Sequence, residues 1–334
     1  MSEFDLINQY FKSASVKRND VVLGIGDDCA LLSPPANKLL AVSTDTLISG
    51  VHFPENTLPA DIGYKALAVN LSDLAAMGAE PAWVSLAISL PETDHHWLEQ
   101  FMRGFSELAQ AQNIALIGGD TTRGKLSITV SVTGFINASA ALKRSLAKPG
   151  DQIFVSGTLG DARAGLEILL NENSANNALD TKDLDYLVGR LNRPQARVET
   201  GQLLAAFTTE SAEQNSIAAI DLSDGLLADL NHICKASGVG ARLQLDSLPL
   251  SNALISYYDK QPDWQKILNA GDDYELCFTC AQEHVDQLLE KVSAKDVLLT
   301  HIGVINETDE IVCYQKDQLN EDIKQAGYNH FNNE

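Results

Sequence analysis

The stretch Lys65-Ala66-Leu67-Ala68-Val69-Asn70-Leu71-Ser72-Asp73-Leu74-Ala75-Ala76-Met77-Gly78-Ala79 decides the fold. It forms most of a predicted helix over residues 59–77, which Asp61 can cap and Gly78 ends. A predicted strand at 83–90 follows directly. The helix is the most apolar helical stretch of the chain, yet it contains Lys65, Asn70 and Asp73, so the sequence places an acidic side chain inside a packed element.

Strands and helices alternate on both sides of this helix. In the first half we expect helices at 4–11 and 94–112 and strands at 21–32, 39–43, 114–117 and 126–136. In the second half we expect strands at 152–157, 217–221, 241–245 and 297–314, a strand leading to Cys277, and helices beginning at 161 and 225. Residues 138–150 are rich in Ala, Ser and Lys and end in a Pro-Gly turn. The sequence therefore predicts an α/β (α+β) fold with domains at 1–137 and 151–334 and a linker at 138–150.

Charge and composition exclude several classes of protein. The 334 residues include 24 Lys and Arg and 45 Asp and Glu, so the net charge is −21. That balance argues against a nucleic-acid or anionic-membrane coat, since phosphate backbones need a basic face. No run approaches the roughly 18 apolar residues of a membrane span. The N-terminus does not resemble a signal peptide, and five scattered cysteines suggest reduced thiols, so we expect a cytoplasmic protein.

Aspartates recur beside apolar runs. Six stretches share this form: Gly26-Asp27-Asp28, Ser43-Thr44-Asp45-Thr46, Leu71-Ser72-Asp73, Gly118-Gly119-Asp120-Thr121, Asp221-Leu222-Ser223-Asp224-Gly225 and Gly271-Asp272-Asp273-Tyr274-Glu275. One Asp after a strand is usually a turn former or a helix cap. Several converging carboxylates would repel one another unless a cation joined them, and Mg²⁺ with substrate phosphates meets that need. Six stretches in one chain favour a multi-metal phosphate site, to which the hydroxyls of Ser43 and Thr44 can add oxygen ligands.

Other phosphate signatures are absent. The sequence has no G-x-x-x-x-G-K-[ST] loop and no protein-kinase or zincin motif, and Cys29 replaces the third glycine of a G-x-G-x-x-G pattern. His52 follows the Ser-Thr-Asp stretch and is either structural or part of the site. Arg144 is either a solvated linker residue or a cation for a nucleotide phosphate. The aromatic pair Tyr328 and Phe331 suggests docking onto the body or onto a flat ligand ring.

In this order the motifs resemble the thiamine-monophosphate kinase family. The matching stretches are residues 24–30, 43–46 with His52-Phe53, 65–79, 117–122, 220–225 and 272–276. The resemblance covers nearly the whole chain, and the run 65–79 is its most specific part. It implies the two-domain aminoimidazole ribonucleotide synthetase-like fold, with mixed sheets flanked by helices and an N-terminal domain that binds metal and ATP and forms a homodimer through its sheet.

The resemblance also implies an activity and its residues. The activity is phosphorylation of thiamine monophosphate by ATP to thiamine diphosphate, with ADP as coproduct and several Mg²⁺ ions. The implied metal ligands are Asp28, Ser43, Thr44, Asp45, Asp73, Asp120, Asp221 and Asp224; the implied ATP contacts are Gly119, Asp120, Arg144 and Ser223; the implied substrate contacts are His52, Asp272 and Tyr328. The family usually has Glu where this chain has Asp272, so the shorter side chain has less reach.

Charge neutralisation suggests the mechanism. Both reactants are anionic, and the acceptor is a phosphate oxygen that is already charged, so we expect direct in-line transfer without a general base or a phosphoenzyme. Two alternatives stay open. One is a sibling enzyme, such as selenophosphate synthetase or a purine-pathway synthetase, although residues 1–20 lack the cysteine expected of the former. The other is a metal- or nucleotide-binding protein without catalysis.

Overall fold

The computed structural model describes residues 7–12, 14–170, 179–210, 217–293 and 297–324. Their contacts divide the chain into two compact units. The first comprises residues 1–74 and 79–138, and the second comprises 75–78 and 139–334. Each unit combines a sheet with helices, which confirms the predicted α/β class. No helix in the described ranges is long and apolar enough to cross a membrane.

The first unit is built on one sheet and two long helices. Its elements are β1 (Val21–Leu23), β2 (Leu31–Leu32), β3 (Leu39–Ile48), α1 (Pro59–Met77), β4 (Glu80–Leu90), α2 (His95–Ala111), β5 (Ala115–Arg123) and β6 (Ser127–Ile136), after a short π-helical segment at Ile7–Lys12. The main sheet has the order β3-β6-β4-β5, with β4 and β5 parallel and the other pairs antiparallel. Strands β1 and β2 form a separate antiparallel pair.

Helices α1 and α2 touch at their backbones. A Cβ on Gly63 would lie 2.0 Å from the carbonyl oxygen of Phe101, and one on Gly104 would lie 1.7 Å from that of Ala60. Glycine at both positions therefore permits the close approach. Helix α2 begins at a cap in which Asp94 accepts the backbone N–H groups of the first helical turn.

The strands differ from the expected ones in several places, two of them rich in glycine. The expected strand at 39–43 continues to Ile48, and the expected strand at 297–314 is divided into Leu299–Asn306 and Ile311–Gln315. The expected strand at 21–32 is broken into β1 and β2, because Gly26 takes a φ of 129° and opens a loop over residues 24–30. Strand β5 does not end before the Gly-Gly-Asp motif, as expected, but runs through it to Arg123. Pairing with β4 recruits these glycines into the sheet, which a search for apolar runs does not reveal.

The second unit holds a larger mixed sheet. Its elements are β7 (Gln152–Ser156), α3 (Asp161–Leu169), α4 (Thr181–Asn192), α5 (Val198–Glu210), β8 (Ala219–Asp221), α6 (Leu226–Ser237), β9 (Gly240–Gln244), α7 (Asn252–Tyr257), α8 (Trp264–Leu268), β10 (Leu276–Cys280), α9 (Val285–Ser293), β11 (Leu299–Asn306), β12 (Ile311–Gln315) and β13 (Gln318–Leu319). The sheet order is β13-β12-β9-β11-β7-β10-β8, and only β12 and β9 run parallel among these described pairs. One apolar core joins α6 to the sheet.

Candidate functional site

Strand β3 and helix α1 bring two of the predicted metal ligands together. Side chains alternate along the strand, so Ser43 and Asp45 share the face that meets α1. The Ser43 hydroxyl donates to Oδ2 of Asp73 at 2.5 Å. Asn70, one helical turn before Asp73, accepts the backbone N–H of Asp45 at 3.1 Å. Strand and helix are thus joined at the place where the two carboxylates meet.

This carboxylate pair is electrostatically unfavourable when no cation is present. Burial and, after it, the negative charge of Asp73 together raise the pKa of Asp45 to about 6. Such a pair favours either a shared proton or a bound cation. Two carboxylates with a nearby hydroxyl are oxygen donors of the kind that Mg²⁺ prefers. The donor set therefore fits a divalent cation, although the described residues contain no group of three or more His, Cys, Asp or Glu side chains that could hold a metal.

A cavity of about 450 Å³ lies in the same unit. The loop at 25–30 lines one side of it, and residues 116–121 of β5 line another. The cavity brings Asp28 together with Gly119 and Asp120, although their motifs are about ninety residues apart in the sequence. Glycine is required at 119, because a Cβ there would lie 1.8 Å from the carbonyl oxygen of Leu86.

The hydroxyl of Thr44 points away from the carboxylate pair. It lies 2.5 Å from the Ser131 hydroxyl on the opposite face of β3, where Thr46 also pairs with Thr129. In the sheet register Asp120 pairs with Ala87, and Ala87 pairs with Thr129. Asp120 therefore lies on the same face as Thr44 and Thr46, which we call the open face. The predicted ligands of this unit therefore fall on both faces of the sheet, as the alternation of a pleated strand requires.

His52 closes a tight loop at the end of β3. Its Nδ1 accepts the backbone N–H of Ile48 at 3.0 Å. A neutral imidazole with an accepting Nδ1 carries its proton on Nε2, so Nε2 is a hydrogen-bond donor. Lys65 is buried on α1 and donates from Nζ to the His52 carbonyl oxygen at 3.3 Å. The contact with the Ile48 N–H therefore holds the ring in one orientation at the end of β3.

In the second unit two loops lie side by side. The Asp272 N–H donates to the Ser223 carbonyl at 3.0 Å, and the Tyr274 N–H donates to that of Leu222 at 2.8 Å. A Cβ on Gly271 would lie 2.4 Å from the Ser223 oxygen. The loop that carries the predicted residues 221–224 is thus joined by its backbone to the loop that carries Asp272.

Asp229 is a residue of this site that the sequence reasoning missed. Its Oδ2 accepts the N–H groups of Asp224 at 3.0 Å and Gly225 at 3.1 Å. Its pKa is raised to about 7, chiefly by burial and also by the charge of Asp224, and the backbone hydrogen bonds only partly oppose this rise. Its signal in the sequence was weak, because an acidic residue in the first turn of a helix is common.

Arg144 and Tyr328 are the last two predicted substrate contacts. The Arg144 carbonyl accepts from Ser237, the last residue of α6, whereas Asp224 precedes the first turn of that helix. Twelve helical residues span roughly 18 Å, so within this unit Arg144 is not beside Ser223 and Asp224. Tyr328 lies outside the described residues.

A cluster of buried charges was also missed. Glu275, Asp273 and Asp161 are buried with Arg190, and Arg197 approaches them from the start of α5. The arginines are more than seventy positions before Glu275 in the sequence, so no local spacing reveals the contact.

Two family models match the chain. They are the N-terminal domain of AIR synthase related proteins over residues 26–136 and the C-terminal domain of the same group over residues 148–316. The thiamine-monophosphate kinase of Escherichia coli (strain K12) is 47% identical over 329 residues, which is 98% of either chain. That of Bacillus subtilis (strain 168) is 38% identical over 340 residues, with 99% of this chain and 100% of the relative covered.

Solved structures agree with these sequence matches. The thiamine-monophosphate kinase from Stenotrophomonas maltophilia K279a has a TM-score of 0.81 and 46% identity, with 95% of this chain and 98% of that chain covered. AaThiL complexed with AMPPCP and TMP has a TM-score of 0.74 and 32% identity, with 98% and 97% covered. The fold and both sequence halves are therefore shared over almost their whole length.

Proposed function

The chain belongs to the thiamine-monophosphate kinase family, and from that premise we propose that it phosphorylates thiamine monophosphate with ATP to give thiamine diphosphate and ADP. The observation that carries the proposal is the full-length likeness to AaThiL, which was solved with AMPPCP and TMP. The cavity beside Gly119 and the adjoining acidic groups have the chemistry that such a phosphate-rich pair of reactants requires.

Magnesium ions complete the proposed site. Asp45 and Asp73 with Ser43 would hold one position, and Asp28 and Asp120 are carboxylates that line the cavity. Thr44, Asp221 and Asp224 are the remaining proposed ligands. The raised pKa of Asp45 supports the proposal, because burial and the charge of Asp73 both disfavour the ionised carboxyl and a bound cation would offset them. When bound, the ions would supply neutralisation of charge on the two phosphate-bearing reactants.

The proposed substrate contacts are those that the family resemblance implies. We propose Gly119, Asp120, Arg144 and Ser223 for ATP and His52, Asp272 and Tyr328 for thiamine monophosphate. His52 closes the loop at the end of β3, the strand that carries the proposed ligands Ser43 and Asp45. The backbone hydrogen bond from Asp272 to Ser223 joins the two loops. It fixes the backbone position from which the short Asp272 side chain extends.

The proposed mechanism is direct in-line transfer. The acceptor oxygen of thiamine monophosphate is ionised near neutral pH, so no residue has to remove a proton from it. The work of the chain is then to align the two reactants and to neutralise their charge, as is usual for phosphoryl transfer. We also propose that metal and ATP binding is centred on the N-terminal domain, residues 1–137.

Product analysis tests this proposal. The purified protein is incubated with ATP, Mg²⁺ and thiamine monophosphate, and the products are separated by chromatography. We expect thiamine diphosphate and ADP in equal amounts, both lost when EDTA is added. A folded protein that binds ATP and makes no thiamine diphosphate contradicts the proposal and favours a sibling enzyme or a binding role.

We also propose a homodimer formed through the open face of the first sheet. Val42 is 65% exposed and Leu40 is 50% exposed on the face that carries the Thr44–Ser131 pair. Exposed apolar groups on a sheet face are typical of an interface. Light scattering should give twice the chain mass, and Val42→Lys should lower it to one chain. A monomeric wild type contradicts this.

The proposed location is the cytoplasm. All five cysteines are free thiols, and four of them are buried. Scattered reduced cysteines are typical of that compartment. Fractionation of cells that express the protein tests the assignment, and recovery in a membrane or secreted fraction contradicts it.

A further inference from the structure

The loop that carries Asp272 has an unusual backbone. Asp272 has a φ of 69° and Tyr274 has a φ of 49°, a left-handed conformation that residues with side chains seldom adopt. Asp273 and Glu275 alternate with them and are 2% and 0% exposed. Strained backbone of this kind persists only where its surroundings hold it firmly. The contacts of the two buried carboxylates show what holds it.

Glu275 is held by two arginines. Its Oε2 accepts from Nε of Arg197 at 2.5 Å and from the Ser156 hydroxyl at 2.6 Å. Its Oε1 accepts from Nη2 of Arg197 at 2.6 Å and from Nη2 of Arg190 at 2.8 Å. The Arg197 contact is a two-pronged pair, which fixes direction as well as distance. Arg190 also donates to the Asp273 carbonyl oxygen at 3.3 Å, so it holds the loop backbone directly.

The other buried carboxylate is attached to a different element. Both oxygens of Asp273 accept the N–H of Gly160, at 2.8 and 3.0 Å, where α3 begins. Space around the cluster is tight. A Cβ on Gly157 would lie 2.2 Å from Oε1 of Glu275 and 2.5 Å from Nη2 of Arg197. Asp272 is therefore flanked by anchors on its C-terminal side and by its hydrogen bond to Ser223.

We propose that Arg190, Arg197 and Glu275 form a positioning brace that sets the orientation of Asp272 toward thiamine monophosphate. This inference rests on the proposed function. Glu275 is fully buried, so it acts through the loop. The brace matters more here than for a longer side chain, because an aspartate has fewer torsions with which to correct a displaced backbone. Displacing the loop should weaken binding of the acceptor and leave binding of ATP almost unchanged.

Replacement of Arg197 tests the brace. Arg197→Met removes both prongs and keeps an aliphatic stem, and Arg197→Lys keeps the charge without the fork. We expect Arg197→Met to raise the Kd and KM for thiamine monophosphate roughly tenfold or more, since small misplacements are costly at a reacting centre. The KM for ATP should change less than about twofold by the same reasoning, and Arg197→Lys should restore part of the loss.

Glu167→Gln is the matched control. Glu167 is a buried carboxylate of the same unit with two cationic partners, Arg163 and Lys266, and it belongs to no proposed contact. The Glu167→Gln substitution should lower the melting temperature without changing the KM for thiamine monophosphate. The brace is refuted if Arg197→Met changes the KM for thiamine monophosphate and the KM for ATP equally, or changes neither. If Arg197→Met does not fold, the same comparison with Arg197→Lys decides. Wild-type protein that does not bind thiamine monophosphate by calorimetry refutes the proposed function before any variant is compared.

Discussion

Replacing Asp45 with asparagine should stabilise the metal-free protein while removing its activity. The substitution keeps the shape of the side chain and its contact with α1, but it removes one of two charges that repel each other. The pKa of Asp45 is raised to about 6 from an ordinary value of 3.8, by burial first and by Asp73 second. That difference corresponds to about 3 kcal/mol between the two protonation states. Solvent screening of a half-buried group lowers this figure, so we expect a gain of about 1 to 2 kcal/mol.

The stability that Asp45→Asn gains should depend on pH. A carboxyl whose pKa is higher in the folded state contributes stability below pH 3.8, and this contribution is lost as the pH rises through about 6. Asp45→Asn should therefore be more stable than wild type at pH 8 and show no such gain near pH 3.5. The assay is urea unfolding in EDTA at both pH values. Asp27→Asn, which replaces an exposed carboxylate of the first unit, should show no gain.

Addition of Mg²⁺ completes this test. A ligand that binds only the folded state raises its stability, so Mg²⁺ should stabilise wild type more than Asp45→Asn. Loss of a metal ligand should also lower turnover roughly 100-fold. A variant that is no more stable than wild type at pH 8 in EDTA would refute the repulsion argument. Unchanged turnover and Mg²⁺ dependence would refute the metal assignment.

Two further predictions concern the framework around the site. Burial raises the pKa of Glu167, but hydrogen bonds led by that of Tyr257 outweigh it and hold the pKa below its ordinary value of 4.5. Stability should therefore fall as the pH drops through the range below 4.5, and acid urea titrations of Glu167→Gln should show a smaller drop. Gly104→Ala should cost about 1 to 3 kcal/mol by overpacking and lower the melting temperature, because its Cβ meets the Ala60 carbonyl at 1.7 Å. Gly189→Ala has open space at its Cβ and should stabilise the protein instead, so a loss there as large as that of Gly104→Ala would contradict the packing argument.

Local pattern predicted the main elements, because periodicity records which face of a helix or strand is buried. It predicted the long helix with Asp73 on it and the position of most strands along the chain, but not their order in the sheets. It failed where distant partners decide the outcome, as at β5, which β4 extends through Gly119. The sequence pattern missed the residues that hold the site for the same reason. Asp229 and Glu275 are ordinary acidic residues in the sequence, and only their tertiary neighbours give them a role.

The φ of 69° at Asp272 places two opposing demands on one position. Left-handed backbone costs most residues roughly 1 to 2 kcal/mol, whereas aspartate accepts it more readily through local hydrogen bonding. A glutamate at this position would offer greater reach but would tolerate this backbone less well. An evolving chain can therefore trade reach for conformational ease at 272, and substitution in either direction becomes neutral only when the neighbouring residues change with it.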